Sequence, residues 1–108
     1  MIVGAAAVEL HVHGSQSLKQ KRGVIRSIAQ RVRNRFQLSV AEVGGQDTWQ
    51  RSVLGLAAAG SDPVRIRAVL EKAARFIEET HLAEVLNVDV EIVELPVEET
   101  SWDPDPEE

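Results

Sequence analysis

Ile2, Gly4, Ala6, Val8, Leu10 and Val12 alternate with Val3, Ala5, Ala7, Glu9, His11 and His13. A period of two predicts a strand, because successive side chains of an extended chain point to opposite faces. The first set stays apolar and the second turns polar at Glu9, so one face is expected to be buried along the whole strand. The period then changes. Leu18, Ile25, Ile28, Ala29, Val32 and Phe36 recur at helical spacing, and Ser15 or Ser17 offers the N-cap hydroxyl of an amphipathic helix. Gly23 inside it costs about 1 kcal/mol against alanine, which predicts close packing there or a loose first turn. Leu38 to Val43 reads as a short strand, Gly44-Gly45-Gln46-Asp47 as a turn, and Thr48 to Gly60 as the second strand of a hairpin. Ser61-Asp62-Pro63 starts a second helix, with Asp as cap and Pro at the first helical position. Its buried stripe is Ile66, Val69, Leu70, Ala73, Phe76, Ile77 and Thr80, and Val85 to Val93 alternates again as a last strand.

The order strand, helix, strand, strand, helix, strand predicts the α+β ferredoxin-like sandwich: a four-stranded antiparallel sheet with two helices on one face and the other face open. Its expected extent is residues 1–96. Residues 97–108 form an acidic tail whose charge and prolines predict disorder. A chain of 108 residues suits one domain. No run approaches the roughly 20 apolar residues of a membrane span, and the amino terminus lacks a basic leader, so a cytoplasmic protein without a membrane partner is expected. The absence of cysteine removes disulfides, thiolate metal sites and cysteine nucleophiles. Arginine outnumbers lysine, a bias that fits a thermophile or a GC-rich genome.

Charge changes this picture more than composition does. The net charge is −5, yet Lys19, Lys21, Arg22, Arg26, Arg31, Arg33 and Arg35 follow one another with no acid among them. After Arg75 there is no lysine or arginine, and from Glu78 onward only acids. A partner feels the field within a Debye length, about 8 Å at physiological salt, so this segregation predicts a basic side and an acidic end. Lys19, Arg22, Arg26 and Arg33 fall on one helix face, with Lys21, Arg31 and Arg35 flanking it. Two readings follow: a grip on a polyanion, structured RNA above all, or a surface balanced internally by the acidic fourth strand and tail.

Other constellations carry less. His11 and His13 share a strand face about 7 Å apart at Cα, and Glu9 lies on the same face. A Glu-His-His row along one strand needs another element to close around an ion, so no metal or cofactor is expected. His81 suits the negative end of a helix. The serines lie in no nucleophile elbow and the histidines have no carboxylate orienter in the sequence, so no catalytic residues are assigned and an enzyme is not expected. The predicted open face lacks the stacking aromatics that RNA-recognition domains carry there. It offers small apolar residues instead: Val3, Ala5, Ala7, Val53, Gly55, Ala57 and Ala59. Ala5, Ala7, Val53, Ala57 and Ala59 are therefore candidates for burial in a homodimer, with Glu9, His11, Trp49 and Arg51 as its rim or as a shallow ligand pocket.

Ser17-Leu18-Lys19-x-Lys21-Arg22, Arg33-Asn34-Arg35-Phe36, Ser39-Val40-Ala41-Glu42-Val43 and Asp47-x-Trp49-Gln50-Arg51 together resemble the YlxP-like family of small bacterial proteins of unknown function. Gly45 departs from the pattern, which commonly has a histidine before the Gln-Asp pair. The resemblance implies a ferredoxin-like fold and, from genes that often neighbour those of translation initiation factor two and ribosome-binding factor A, a link to translation or ribosome maturation. The expected function is a non-catalytic, dimeric protein that meets structured RNA or a ribosomal particle through Lys19, Lys21, Arg22, Arg26, Arg33 and Arg35. The alternative is a dimeric module that binds a protein or small molecule at the open face and its Trp49–Arg51 rim.

Overall fold

A computed structural model describes residues 1–97. The elements follow the predicted order: β1 (Ile2–His11), α1 (Leu18–Phe36), β2 (Ser39–Gly44), β3 (Arg51–Gly60), α2 (Pro63–Glu79) and β4 (Glu84–Glu94). The strands form one antiparallel sheet in the order β2-β3-β1-β4, the arrangement of a ferredoxin-like sandwich. Residues 98–108, most of the tail expected to be disordered, lie outside the described residues.

Alternation decides which face is buried. Ile2, Ala6, Val8 and Leu10 of β1 and Leu54 and Leu56 of β3 pack under the helices. They meet Ile25, Ile28 and Val32 of α1 and Ile66, Leu70, Ala73 and Ile77 of α2 in one core. A Cβ at Gly4 would sit inside the side chain of Ile66, so glycine there lets α2 lie directly on β1. Both helices begin as the sequence predicts. Ser17, not Ser15, caps α1, its Oγ accepting from the Gln20 N–H at 3.1 Å, and Asp62 caps α2 by accepting from the Val64 N–H at 2.9 Å. Gly23 does neither of the things expected of it. It is exposed in mid-helix, and a Cβ added there would meet nothing within 4 Å.

The hairpin departs from expectation at its turn. β3 begins at Arg51, so Thr48, Trp49 and Gln50 belong to the connection, which starts at Gly45 with φ of 71°. The ammonium of Lys21 reaches across from α1 and donates to the carbonyls of Gly45, Gln46 and Arg51, holding both ends of this loop against the helix. A second irregularity lies in β4, where the pairing with β1 shifts between Glu9 and Leu10. Leu86 is the extra residue, and the bulge reverses the parity of everything before it.

Candidate functional site

At 3.6 residues per turn, Lys19, Arg22, Arg26 and Arg33 fall within about 60° of one another around α1, and all four are exposed. Arg22, Arg26 and Arg33 line a groove of about 350 Å³ between α1 and the edge strand β2, floored by Ile25, Ala29, Ala41 and Leu54. Arg33 is the fixed member. Its Nη2 donates to the Val40 carbonyl at 2.6 Å, covering part of the sheet edge, and a guanidinium has four more N–H donors to offer. Among the described residues no salt bridge joins an acid to any of these four cations.

Two of the six cations expected to bind nucleic acid are placed elsewhere. Lys21 is 0% exposed, its ammonium 3.2 Å from Oε2 of Glu42 as well as bonded to the three loop carbonyls. Glu42 in turn accepts from Ser52 Oγ. The residue falls on the buried stripe beside Ile25, and the ammonium has no path to a phosphate, so Lys21 is corrected from a binding residue to a structural one. Arg35 lies on the opposite flank. Its guanidinium carbon sits 5.0 Å from the Phe76 ring centroid and 5.8 Å from that of Phe36, a cation–π contact that ties α1 to α2.

Glu42 also lines the arginine groove, but its charge is met by Lys21. The acids of β4, Glu84, Asp89, Glu91 and Glu94, occupy the far edge of the sheet from β2. Three interstrand spacings of about 4.8 Å separate the two edges by about 14 Å, well beyond the screening length of about 8 Å. Segregation along the sequence thus becomes segregation across the molecule.

On the open face Ala5, Ala7 and Ala59 are exposed and Val53 and Ala57 half-buried, with Val43 of β2 and Val93 of β4 extending the apolar surface. Of the rim residues, Glu9 and Arg51 are joined by a 2.8 Å ion pair and His11 is paired in register with Arg51. Trp49 stands in the hairpin loop, 56% exposed. The carboxylate that Glu9 would have offered the histidines is therefore taken by Arg51. A different acid supplies one. The β4 bulge turns Glu84 onto the histidine face, in register with His11, with Oε1 2.7 Å from His13 Nε2 and 3.8 Å from His11 Nδ1. The hydrogen bond with His13 holds the Glu84 carboxyl below its ordinary range, with the charges of His13 and His11 adding and partial desolvation opposing.

Sequence reasoning missed both Lys21–Glu42–Ser52 and Glu84. The first was signalled by Lys21 standing four residues before Ile25, the second by Val85 lying out of phase with Val88, Val90 and Ile92.

Residues 3–90 match the family described as "Protein of unknown function (DUF503)". The chain is also 40% identical over 77 residues to "Uncharacterized protein YlxP" of Bacillus subtilis (strain 168), an alignment covering 71% of this chain and 84% of that protein. With all six elements wholly or mostly inside the matched span, the chain belongs to this YlxP-like family of unknown function.

Proposed function

We propose that the protein is a non-catalytic RNA-binding protein acting on structured RNA or a ribosomal particle, and that Lys19, Arg22, Arg26 and Arg33 are its phosphate contacts. One observation carries this reading: three arginines line a single groove whose own acid is neutralised by a buried lysine, while the β4 acids stand more than a Debye length away. A surface balanced internally would place acids beside the row, and among the described residues no ion pair reaches it. The groove is also open at the sheet edge, where a backbone of phosphates has room to lie. The gene neighbourhood implied by the family resemblance agrees with an RNA partner in translation or ribosome maturation. Co-sedimentation with ribosomal particles tests the proposal. Wild type is expected in the particle fraction and the variant with all four cations changed to glutamine in the supernatant; equal sedimentation of the two rules out the groove.

A second reading, self-association through the open face, is favoured by the apolar surface that runs from Val43 across Gly55 and Val53 to Ala5 and Ala7. Side chains this small let two sheets stack at the usual separation of about 10 Å. The two readings are compatible, since the groove and the open face lie on different sides of the sheet.

A further inference from the structure

All three histidines of the chain collect at one end of the sheet. His11 closes β1, His13 follows two residues later, and His81 lines with His13, Glu78 and Glu84 a depression of about 380 Å³. Within this group Nδ1 or Nε2 of His11, the ring nitrogen of His13 and a carboxylate oxygen of Glu84 all lie within 4.8 Å of one another. We propose that His11, His13 and Glu84 form a binding site for a borderline divalent transition ion of the zinc class, independent of the arginine groove.

Three features distinguish the cluster from an ordinary surface ion pair. The first is convergence. A pair would account for His13 and Glu84, but His11 Nδ1 approaches the same Oε1, and the two imidazoles stand with centroids 4.0 Å apart. Two protonated rings at that distance repel, whereas a cation between two neutral rings draws both inward.

The second is the donor set. Two imidazoles and one carboxylate match the three protein ligands of open zinc sites, with metal–ligand bonds of about 2.0 to 2.2 Å. A tetrahedral ion with such bonds sets its donors about 3.3 Å apart. Glu84 and His13 must then separate by about half an ångström and the other pairs close by up to about one and a half. These side chains are exposed or half-exposed, so rotation about their own bonds suffices. Nitrogen donors disfavour magnesium and calcium, which take oxygen.

The third is support around the ligands. His11 turns Nε2 toward the Gln50 carboxamide oxygen, 3.5 Å away, leaving Nδ1 for the ion, the arrangement that fixes a ligating imidazole. Glu9, two residues along the strand, is held by Arg51 and does not compete. The β4 bulge is what supplies the third ligand. Without its extra residue Glu84 would share the parity of Val88 and face the core.

Three protein donors leave coordination positions open to water or to a ligand atom of a partner. The cluster does not join elements that would otherwise part, since β1 and β4 are already paired along their length.

Calorimetric titration of the untagged full chain with zinc chloride tests the site. One ion per chain is expected, and Co²⁺ in its place should give the visible absorption of a four- or five-coordinate ion. His11→Ala, His13→Ala and Glu84→Gln should each weaken binding at least about tenfold, while Glu9→Gln should leave it unchanged. Thermal melts of every variant establish that it is folded. In wild type, zinc at about 100 times its dissociation constant should raise the melting temperature by several degrees. Absence of stoichiometric binding, or a folded Glu84→Gln variant that binds zinc as wild type does, overturns the proposal.

Discussion

Lys21 shows how far a single residue can depart from its neighbours. It sits in a run of cations, yet its ammonium is buried against Glu42 and three backbone carbonyls, where it ties α1, β2 and the hairpin loop together. Removing one partner of such a pair leaves the other charge stranded and commonly costs about 3 kcal/mol or more. Lys21→Met is expected to lose about that much in chemical denaturation, and Lys21→Met with Glu42→Leu to lose less, because both charges then leave together. If Lys21→Met is as stable as wild type, the cluster does not hold the loop. Gly23 gives the opposite expectation. With helical backbone and open space around it, Gly23→Ala should stabilise the protein by about 0.5 to 1 kcal/mol, read as a higher denaturant midpoint at unchanged slope. A lower midpoint would mean that this position is occupied by something other than solvent.

The elements were legible in the sequence wherever one periodicity ran unbroken. β1, both helices and the Asp62 cap follow from alternation, the helical stripe and the Asp-Pro pair, and the α1 cap is one of the two serines, Ser15 and Ser17, that the sequence offers. What the pattern concealed are the places where one side chain or one extra residue overrides it. Thr48 to Gln50 read as the start of β3, but the strand begins only at Arg51, and the Lys21 ammonium gathers the carbonyls of Gly45, Gln46 and Arg51 at the two ends of the loop. In β4 the bulge at Leu86 turns Glu84 from the core face to the histidine face, so the third member of that cluster is invisible to strict alternation. The open face of the sheet was legible in its small apolar residues. If a second copy covers it, Ala7→Glu with Ala57→Glu should be a folded monomer by sedimentation while wild type is a dimer at tens of micromolar. A monomeric wild type, or a double variant that stays dimeric, excludes this face as the contact.

At the scale of the whole molecule the central feature is polarity. The strand order β2-β3-β1-β4 puts the arginine groove at one edge and the acidic strand at the other, so a chain of net charge −5 presents a local cationic surface. The shared face of Lys19, Arg22, Arg26 and Arg33 was legible in their spacing; the places of Lys21 and Arg35 were not, because the burial of one and the Phe76 contact of the other depend on how the helix sits against β2 and α2. Lys21 is buried beneath that face, and Arg35 is on the far flank. Phosphate binding by such a groove releases counterions, with a slope in log affinity against log salt of about 0.7 to 0.9 per contact. The most direct measurement is therefore the salt dependence of binding to a structured RNA, for wild type and for the variant carrying glutamine at positions 19, 22, 26 and 33. Wild type is expected to show steep dependence and the variant a slope shallower by about 3, with a melting temperature lowered only by the loss of the Arg33–Val40 hydrogen bond, since all four side chains are exposed. A wild-type affinity insensitive to salt, or equal slopes for the two proteins, would contradict the proposal.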